Sequence, residues 1–479
     1  MEETLGEKLV RKGFVTPQQV EKALMRQKLH GGRLGHNLIS LNFITKERLQ
    51  EFFRFKPPVP KTIEDTGLSI EFLSALTLKT MLYLGTFTMF NLAERLKLPV
   101  SIIDLIIQSL RQDKFCEVKG GTGYQSFTYS FTITAAGRQR AMEELETSRY
   151  VGPVPVTLEA YSSIFEYQTI KNIFISEENV RRAFAPYVIN EQLLDQLGPA
   201  VNSGKSMFLY GPPGNGKTVI AETIGSLMKE EIYIPYAICV DHEIINVYDP
   251  ISHRAAPEGP PVVVAESNFS DICNDFDQRW LLCKRPVVLV GGELTLGMLD
   301  LDFNEVSKYY EAPVQIKANG GVFIIDDFGR QMVRPRELLN RWIVPLERRS
   351  DFLTLHTGKK FEVPFDELVI FSTNIEPREL VDEAFLRRIR YKIQITHPVR
   401  GEYMEIFRRI CENNGLEFRE DIVKYLLDEH YEKTGIKMNA CHPRDIIDQI
   451  IDISRYKEKT PRLEQEIIDE AWNNYFVEI

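Results

Sequence analysis

The sequence predicts an α/β protein. Its core is a parallel sheet with helices on both faces. An all-α repeat module and a small α+β domain precede that core. Three observations lead there. The octet Gly211–Thr218 follows a short apolar strand and opens a helical run. Two more apolar stretches, Gly321–Ile325 and Leu368–Thr373, run straight into polar residues, as strands buried on both faces do. The first 56 residues carry a two-copy helical pattern.

Bulk properties set the bounds. At roughly 150 residues per domain, 479 residues allow about three domains. Apolar residues at 43% and charged residues at 26% exclude a largely disordered, collagenous or disulfide-scaffold chain. Lys plus Arg is 58 and Asp plus Glu is 68, a net of −10, which disfavours general nucleic-acid binding. The charge is uneven: residues 1–56 hold 11 basic and 6 acidic side chains, a net of +5, so the excess acid lies downstream. A basic head on an acidic body suggests different partners for the two ends. The cysteines at 116, 239, 273, 283, 411 and 441 form no C-x-x-C pair and suit a reducing compartment. No run of 18 apolar residues is present and Met1–Thr4 is no signal sequence, so the expectation is a cytoplasmic protein without membrane insertion.

In chain order, the repeat comes first. Leu5/Leu34, Gly6/Gly35, Leu9/Leu38, Val10/Ile39, Phe14/Phe43, Val15/Ile44 and Thr16/Thr45 coincide at a spacing of 29 residues. Each copy starts as an amphipathic helix, and Thr16 and Thr45 then cap a second one, with Gln19 or Arg48 three residues on. Pro57-Pro58-Val59-Pro60 reads as a stiff linker, covering 57–71. Residues 72–148 read helix, helix, helix, hairpin, helix. The third helix runs from about Val100 to Phe115. Gly120–Gly123 is a turn, and Phe127, Tyr129, Phe131 and Ile133 alternate as a strand. That order resembles a winged-helix domain. Tyr150–Pro155 is a second joint.

Then comes the chemistry. Gly211-Pro212-Pro213-Gly214-Asn215-Gly216-Lys217-Thr218 is G-x-x-x-x-G-K-[ST] in strand–loop–helix context. Its glycines let backbone N–H groups turn inward around phosphate, and the helix N-terminus adds its positive end. Lys217 reaches the β- and γ-phosphates of a nucleotide, and the Thr218 hydroxyl ligates Mg²⁺. At the end of the next buried strand, Asp326 is placed to hold the Mg²⁺ through water and Asp327 to polarise an attacking water. Asn374 ends a third strand. Arg387 and Arg388 follow a short helix begun at Asp382, and Arg444 lies in the first turn of a helix begun at His442. An N-K-x-D guanine-reading motif is absent.

This ordered series resembles the AAA+ ATPases over about residues 155–479. The resemblance implies ATP and Mg as ligands, with Gly211–Thr218 as the Walker A loop and Asp326-Asp327 as the Walker B pair. By the same resemblance Asn374 is sensor 1, Arg388 or Arg387 the arginine finger, and Arg444 sensor 2. The finger implies a homo-oligomeric ring. A large subdomain at 155–398 and a helical lid at 399–479 are implied as well. The family usually has Glu where Asp327 stands. The shorter side chain withdraws by roughly 1.5 Å, which predicts slow hydrolysis or a role in which binding outweighs turnover.

Two stretches, Pro286–Gly297 as a hairpin or loop and Phe352–Val363 as a hairpin, resemble insertions of the branch holding MoxR-like ATPases and enhancer-binding activators. The activators' Gly-Ala-Phe-Thr-Gly-Ala loop is absent. Residues 1–56 resemble the N-terminal domain of type II secretion and type IV pilus assembly ATPases, some of which bind cyclic di-GMP. Leu5-Gly6, Gly13, Thr16, Arg33-Leu34-Gly35 and Ile44-Thr45 carry that likeness. Thr4 and Asn42 depart from it. The third helix of the winged-helix-like segment has two acids and two bases, which favours protein contact over DNA. The resulting expectation is an ATP-hydrolysing AAA+ motor that remodels or gates a protein client. A DNA-binding transcription regulator and a cyclic di-GMP-responsive switch are the alternatives.

Overall fold

Parallel strands occupy the centre of the chain in the computed structural model, which describes residues 4–32, 34–45, 48–49, 55–121, 129–256, 276–380 and 383–476. β1 (Met207–Tyr210), β2 (Val287–Val290), β3 (Val322–Ile325), β4 (Leu368–Thr373) and β5 (Tyr391–Gln394) pair in the order β2-β3-β4-β1-β5. Every pairing is parallel. β3 and β4 are buried along their whole length, which is why their sequences show no polar alternation. The register sets Ile325 beside Phe371 and Thr373 beside Tyr210, so polar residues leave the sheet together at its carboxyl end.

Helices cover both faces, as expected. On one, α1 (Lys217–Ser226) packs Ile220, Ala221 and Ile224 against Met207, Leu209, Ile324 and Ile370. On the other, Phe208, Phe323 and Phe371 meet Leu338, Leu339 and Trp342. The helices after residue 399 close their own core around Tyr403, Phe407, Ile446, Ile450 and Trp472; among them α2 runs His442–Tyr456.

One expectation is corrected. Pro286–Gly297 is not a hairpin, because Val287–Val290 is the edge strand of the central sheet and pairs in parallel with β3. Only Val288 and Val290 point inward, but all four residues are apolar, so the alternation that marks an edge strand is invisible in the sequence. The second hairpin is present: Ser350–Thr354 pairs antiparallel with Lys360–Pro364.

The long span between α1 and β2 contributes to an unforeseen second sheet, ordered 302–304, 309–311, 243–246, 237–240 and 156–157. A two-stranded ribbon, Glu231–Pro235 with Trp280–Lys284, accompanies it. The α+β segment rests on this second sheet, sharing a core that includes Leu73, Ile103, Ile106, Tyr150, Ala237 and Ile244. Its helices are Ile70–Leu84, Met89–Leu96, Val100–Gln112 and Ala135–Thr147. Gly120 and Gly121 belong to the strand Cys116–Gly121 rather than to a turn. Thr122, Gly123, Phe127, Cys273, Arg33 and Asp382 lie outside the described residues.

Helices Leu5–Arg11, Pro17–His30 and Leu34–Ser40 form the N-terminal module. Thr16 and Gln19 make a reciprocal capping box, and Thr45 Oγ1 accepts from Arg48 N at 3.2 Å. The stretch 57–71 is strapped down rather than free-standing. Pro57 O accepts from Asp277 N at 2.9 Å. The buried Arg279 guanidinium donates to Thr66 O at 3.1 Å and Pro155 O at 3.4 Å while paired with Asp277 at 2.8 Å.

Candidate nucleotide-binding site

The octet loop leaves β1 at Gly211, whose N–H donates to Thr373 O at 3.3 Å on the neighbouring β4. A side chain is excluded there: a Cβ on Gly211 would lie 2.0 Å from Ile395 O. Gly214 takes φ +74, and a Cβ on it would meet Cys441 Sγ at 2.6 Å. These two positions explain why the loop is glycine-bearing at its start and its crest. Lys217 opens α1 and folds back over the loop, its Nζ donating to Gly211 O at 2.9 Å and Pro212 O at 2.8 Å. Burial pulls its ammonium below the ordinary lysine range, against the opposing pull of Asp326 and Asp327.

Thr218 Oγ1 donates to Asp326 Oδ2 at 2.7 Å, across 108 positions of sequence. Asp326 Oδ1 accepts from Asp327 N at 3.0 Å. Asp327 sits at φ +47, a left-handed backbone that Asp tolerates better than most residues. Its Oδ1 accepts from Asn374 Nδ2 at 3.0 Å. Thr373 Oγ1 donates to Phe328 O at 2.7 Å and Phe328 N to Ser372 O at 2.7 Å, so the ends of β3 and β4 are stitched together. Lys217, Thr218, Asp326, Asp327 and Asn374 therefore meet at one end of the sheet. The Thr218 hydroxyl and Asp326 carboxylate form a hard, all-oxygen donor set that fits Mg²⁺. Among the described residues no group of three or more His, Cys, Asp or Glu offers another metal cage.

Sequence reasoning missed the contacts from the helical unit. Cys441 N donates to Gly214 O at 2.9 Å, and Ala440 N to Asn215 Oδ1 at 3.0 Å. Asn215 Nδ2 reaches Asn439 Oδ1 at 3.3 Å, which also lies 2.8 Å from His397 Nδ1. The loop before α2 thus lies on the crest of the phosphate loop. Asn215 was visible only as a variable position of the octet, and nothing local marks Asn439 or His397. Arg444 itself is exposed and paired with Asp445 at 3.4 Å, beside this contact rather than within it.

Arg387 and Arg388 are not gathered here. They lead into β5 and so lie at the amino end of the sheet, whereas the octet lies at the carboxyl end. Arg388 Nε pairs with Glu347 at 2.5 Å.

A family model described as a domain of unknown function (DUF8689) matches residues 399–474. The chain is 44% identical over 108 residues to the vesicular-fusion protein Sec18 of Saccharomyces cerevisiae, covering 21% of this chain and 14% of that protein. It is 48% identical over 48 residues to the vesicle-fusing ATPase of Dictyostelium discoideum, covering 10% and 6%. The matched stretches therefore span a small fraction of these relatives' length. Among solved structures, the Thermotoga maritima RuvB Holliday junction branch migration motor aligns at TM-score 0.34 and 14% identity over 64% of this chain and 71% of that one. NtrX of Brucella abortus aligns at TM-score 0.36 and 14% identity over 63% and 59%. The Dictyostelium protein is named as an ATPase. Among the described residues no helix is long and apolar enough to cross a membrane.

Proposed function

We propose that the chain is a Mg²⁺-dependent ATPase of the AAA+ class. In this reading it works as a homo-oligomeric ring that remodels or gates a protein client, within the MoxR-like neighbourhood. The single observation that carries the reading is the meeting of Lys217, Thr218, Asp326, Asp327 and Asn374 at the carboxyl end of β1, β3 and β4.

The roles follow from the atoms. The loop between Gly211 and Gly216 presents backbone N–H groups to the phosphate chain, and α1 adds its positive end. The Lys217 ammonium leaves the Gly211 and Pro212 carbonyls for the β- and γ-phosphates, a better acceptor set for a buried cation. Thr218 and Asp326 would hold Mg²⁺, which neutralises charge on the phosphates when bound. The Asp327 carboxylate accepts a proton from the attacking water, while Asn374 fixes its orientation. The 439–441 loop seats the helical unit on Gly214 and Asn215, so a nucleotide at the loop is felt by residues 399–474. Arg387 or Arg388 is too remote from its own octet and serves a neighbour's nucleotide. Arg444 completes the phosphate contacts from α2. The client is engaged through the N-terminal module and the α+β segment. The −10 net charge and the apolar packing of helix Val100–Gln112 support a protein rather than DNA as that client.

The test is phosphate release. Asp327→Asn retains ATP binding and loses turnover by at least about 10²-fold, the usual worth of a positioned base. Unchanged turnover rejects the assignment.

A further inference from the structure

A cavity of about 1040 Å³ lies at the amino end of the central sheet, opposite the phosphate loop. Lys171, Lys205, Arg349, Arg387 and Arg388 line it. Lys205 lies two residues before β1, and the arginine pair leads into β5. Leu5 and Leu34 of the N-terminal module line it from the outer side. That module is held against the core by the stacking of His36 on Phe174, at 5.5 Å between centroids, and by Lys12 over Tyr167 at 4.8 Å.

The positive charge in this cavity is only partly offset, with Asp366 acting on Arg349 from behind the lining. Glu347 pairs with Arg388. Among the described residues no carboxylate pairs with Lys171, Lys205 or Arg387. The Arg349 guanidinium donates to the carbonyls of Glu367 and Gly204, which leave its charge in place. The remaining acid, Glu367, is 1% exposed, and neither of its carboxylate oxygens has a hydrogen-bond partner. Burial raises its carboxyl well above the ordinary range, against the opposing pull of Arg349. Several like charges lining one open cavity raise a positive potential there, which an anion relieves.

We propose that this cavity is a second anion site, which takes the phosphate chain of a small di- or triphosphate compound between the N-terminal module and the core. Lysines supply point charges, and the guanidiniums supply paired donors to phosphate oxygens. A site in which one chain provides both walls is open to the single subunit. Occupation ties up Arg387 and Arg388. That consequence rests on the ATPase reading above, while the binding itself does not.

The test uses the full chain carrying Lys217→Ala, in which the phosphate loop is disabled, titrated calorimetrically with pyrophosphate and, separately, with ADP. The expected result is uptake of one pyrophosphate per chain. Adding Lys171→Gln and Lys205→Gln weakens it at least about tenfold, roughly 1.4 kcal/mol. Lys171→Arg with Lys205→Arg, which keeps both charges, retains it. Tighter ADP than pyrophosphate binding identifies a nucleotide as the natural source, and equal binding a bare phosphate chain. No uptake by the Lys217→Ala protein, or uptake indifferent to the Lys→Gln pair, overturns the proposal. Either failure leaves ATP binding by the unaltered chain as an independent result, so the two readings stand or fall separately.

Discussion

Gly214 shows how much depends on a single missing atom. Its backbone takes φ +74, and any Cβ would press on Cys441 Sγ at 2.6 Å. Gly214→Ala costs on the order of 1–2 kcal/mol in backbone conformation alone and pushes the 439–441 loop off the phosphate loop. The expected outcome is at least about tenfold weaker nucleotide binding, with faster amide exchange at Ala440 and Cys441. Calorimetry and hydrogen exchange measure the two effects. Asp327 makes the complementary point. Its left-handed backbone is a conformation that Asp adopts more readily than Glu, so the shorter acid suits the turn it occupies. The octet and the Asp pair were legible in the sequence because their chemistry is local. Asn439 and His397 were not, since each acts through a contact that only the folded chain makes.

At the scale of elements, two packed units invite measurement. Arg279 and Asp277 form a buried pair whose spare donors hold the carbonyls of Thr66 and Pro155. Arg279→Met strands the Asp277 charge and costs about 3–5 kcal/mol. Residues 57–66 and 154–156 then exchange their amides faster while the central sheet does not. In the helical unit, His442 is buried at the start of α2, its Nδ1 2.8 Å from the Tyr431 hydroxyl. Burial holds its imidazole down to about 4, below the ordinary 6.5. The unfolded unit therefore takes up a proton below pH 6.5 that the folded one refuses until about pH 4. Stability of residues 399–474 falls as pH drops through that window, by at most about 1.4 kcal/mol per pH unit. His442→Gln flattens the dependence, and thermal unfolding between pH 7.5 and 5 reads it. Element identity was readable from the apolar runs that end in polar residues at β3 and β4, and from helical periodicity in the α+β segment. β2 escaped because four consecutive apolar residues hide which two face the core. The second sheet escaped because its partners are far apart in sequence: 156–157 pairs with 237–240, and 243–246 with 309–311.

For the whole molecule, the two ends of one sheet carry different chemistry. The carboxyl end gathers the loop, the acids and Asn374; the amino end carries Arg387 and Arg388 beyond reach of their own loop. In the proposed ring, Arg388→Ala leaves ATP affinity within about threefold and lowers turnover by at least about 10²-fold. Mixing Arg388→Ala with Lys217→Ala subunits restores part of the activity, because an intact loop then meets an intact arginine. Steady-state hydrolysis of the mixture reports it.

Equilibrium titration of the purified chain with ATP, with and without Mg²⁺, probes the phosphate loop itself. Saturable binding strengthened by Mg²⁺, and lost in Lys217→Ala protein that remains folded, is the expected result. An unaltered chain that binds no adenine nucleotide, or a Lys217→Ala chain that binds it equally well, refutes the nucleotide site at Gly211–Thr218.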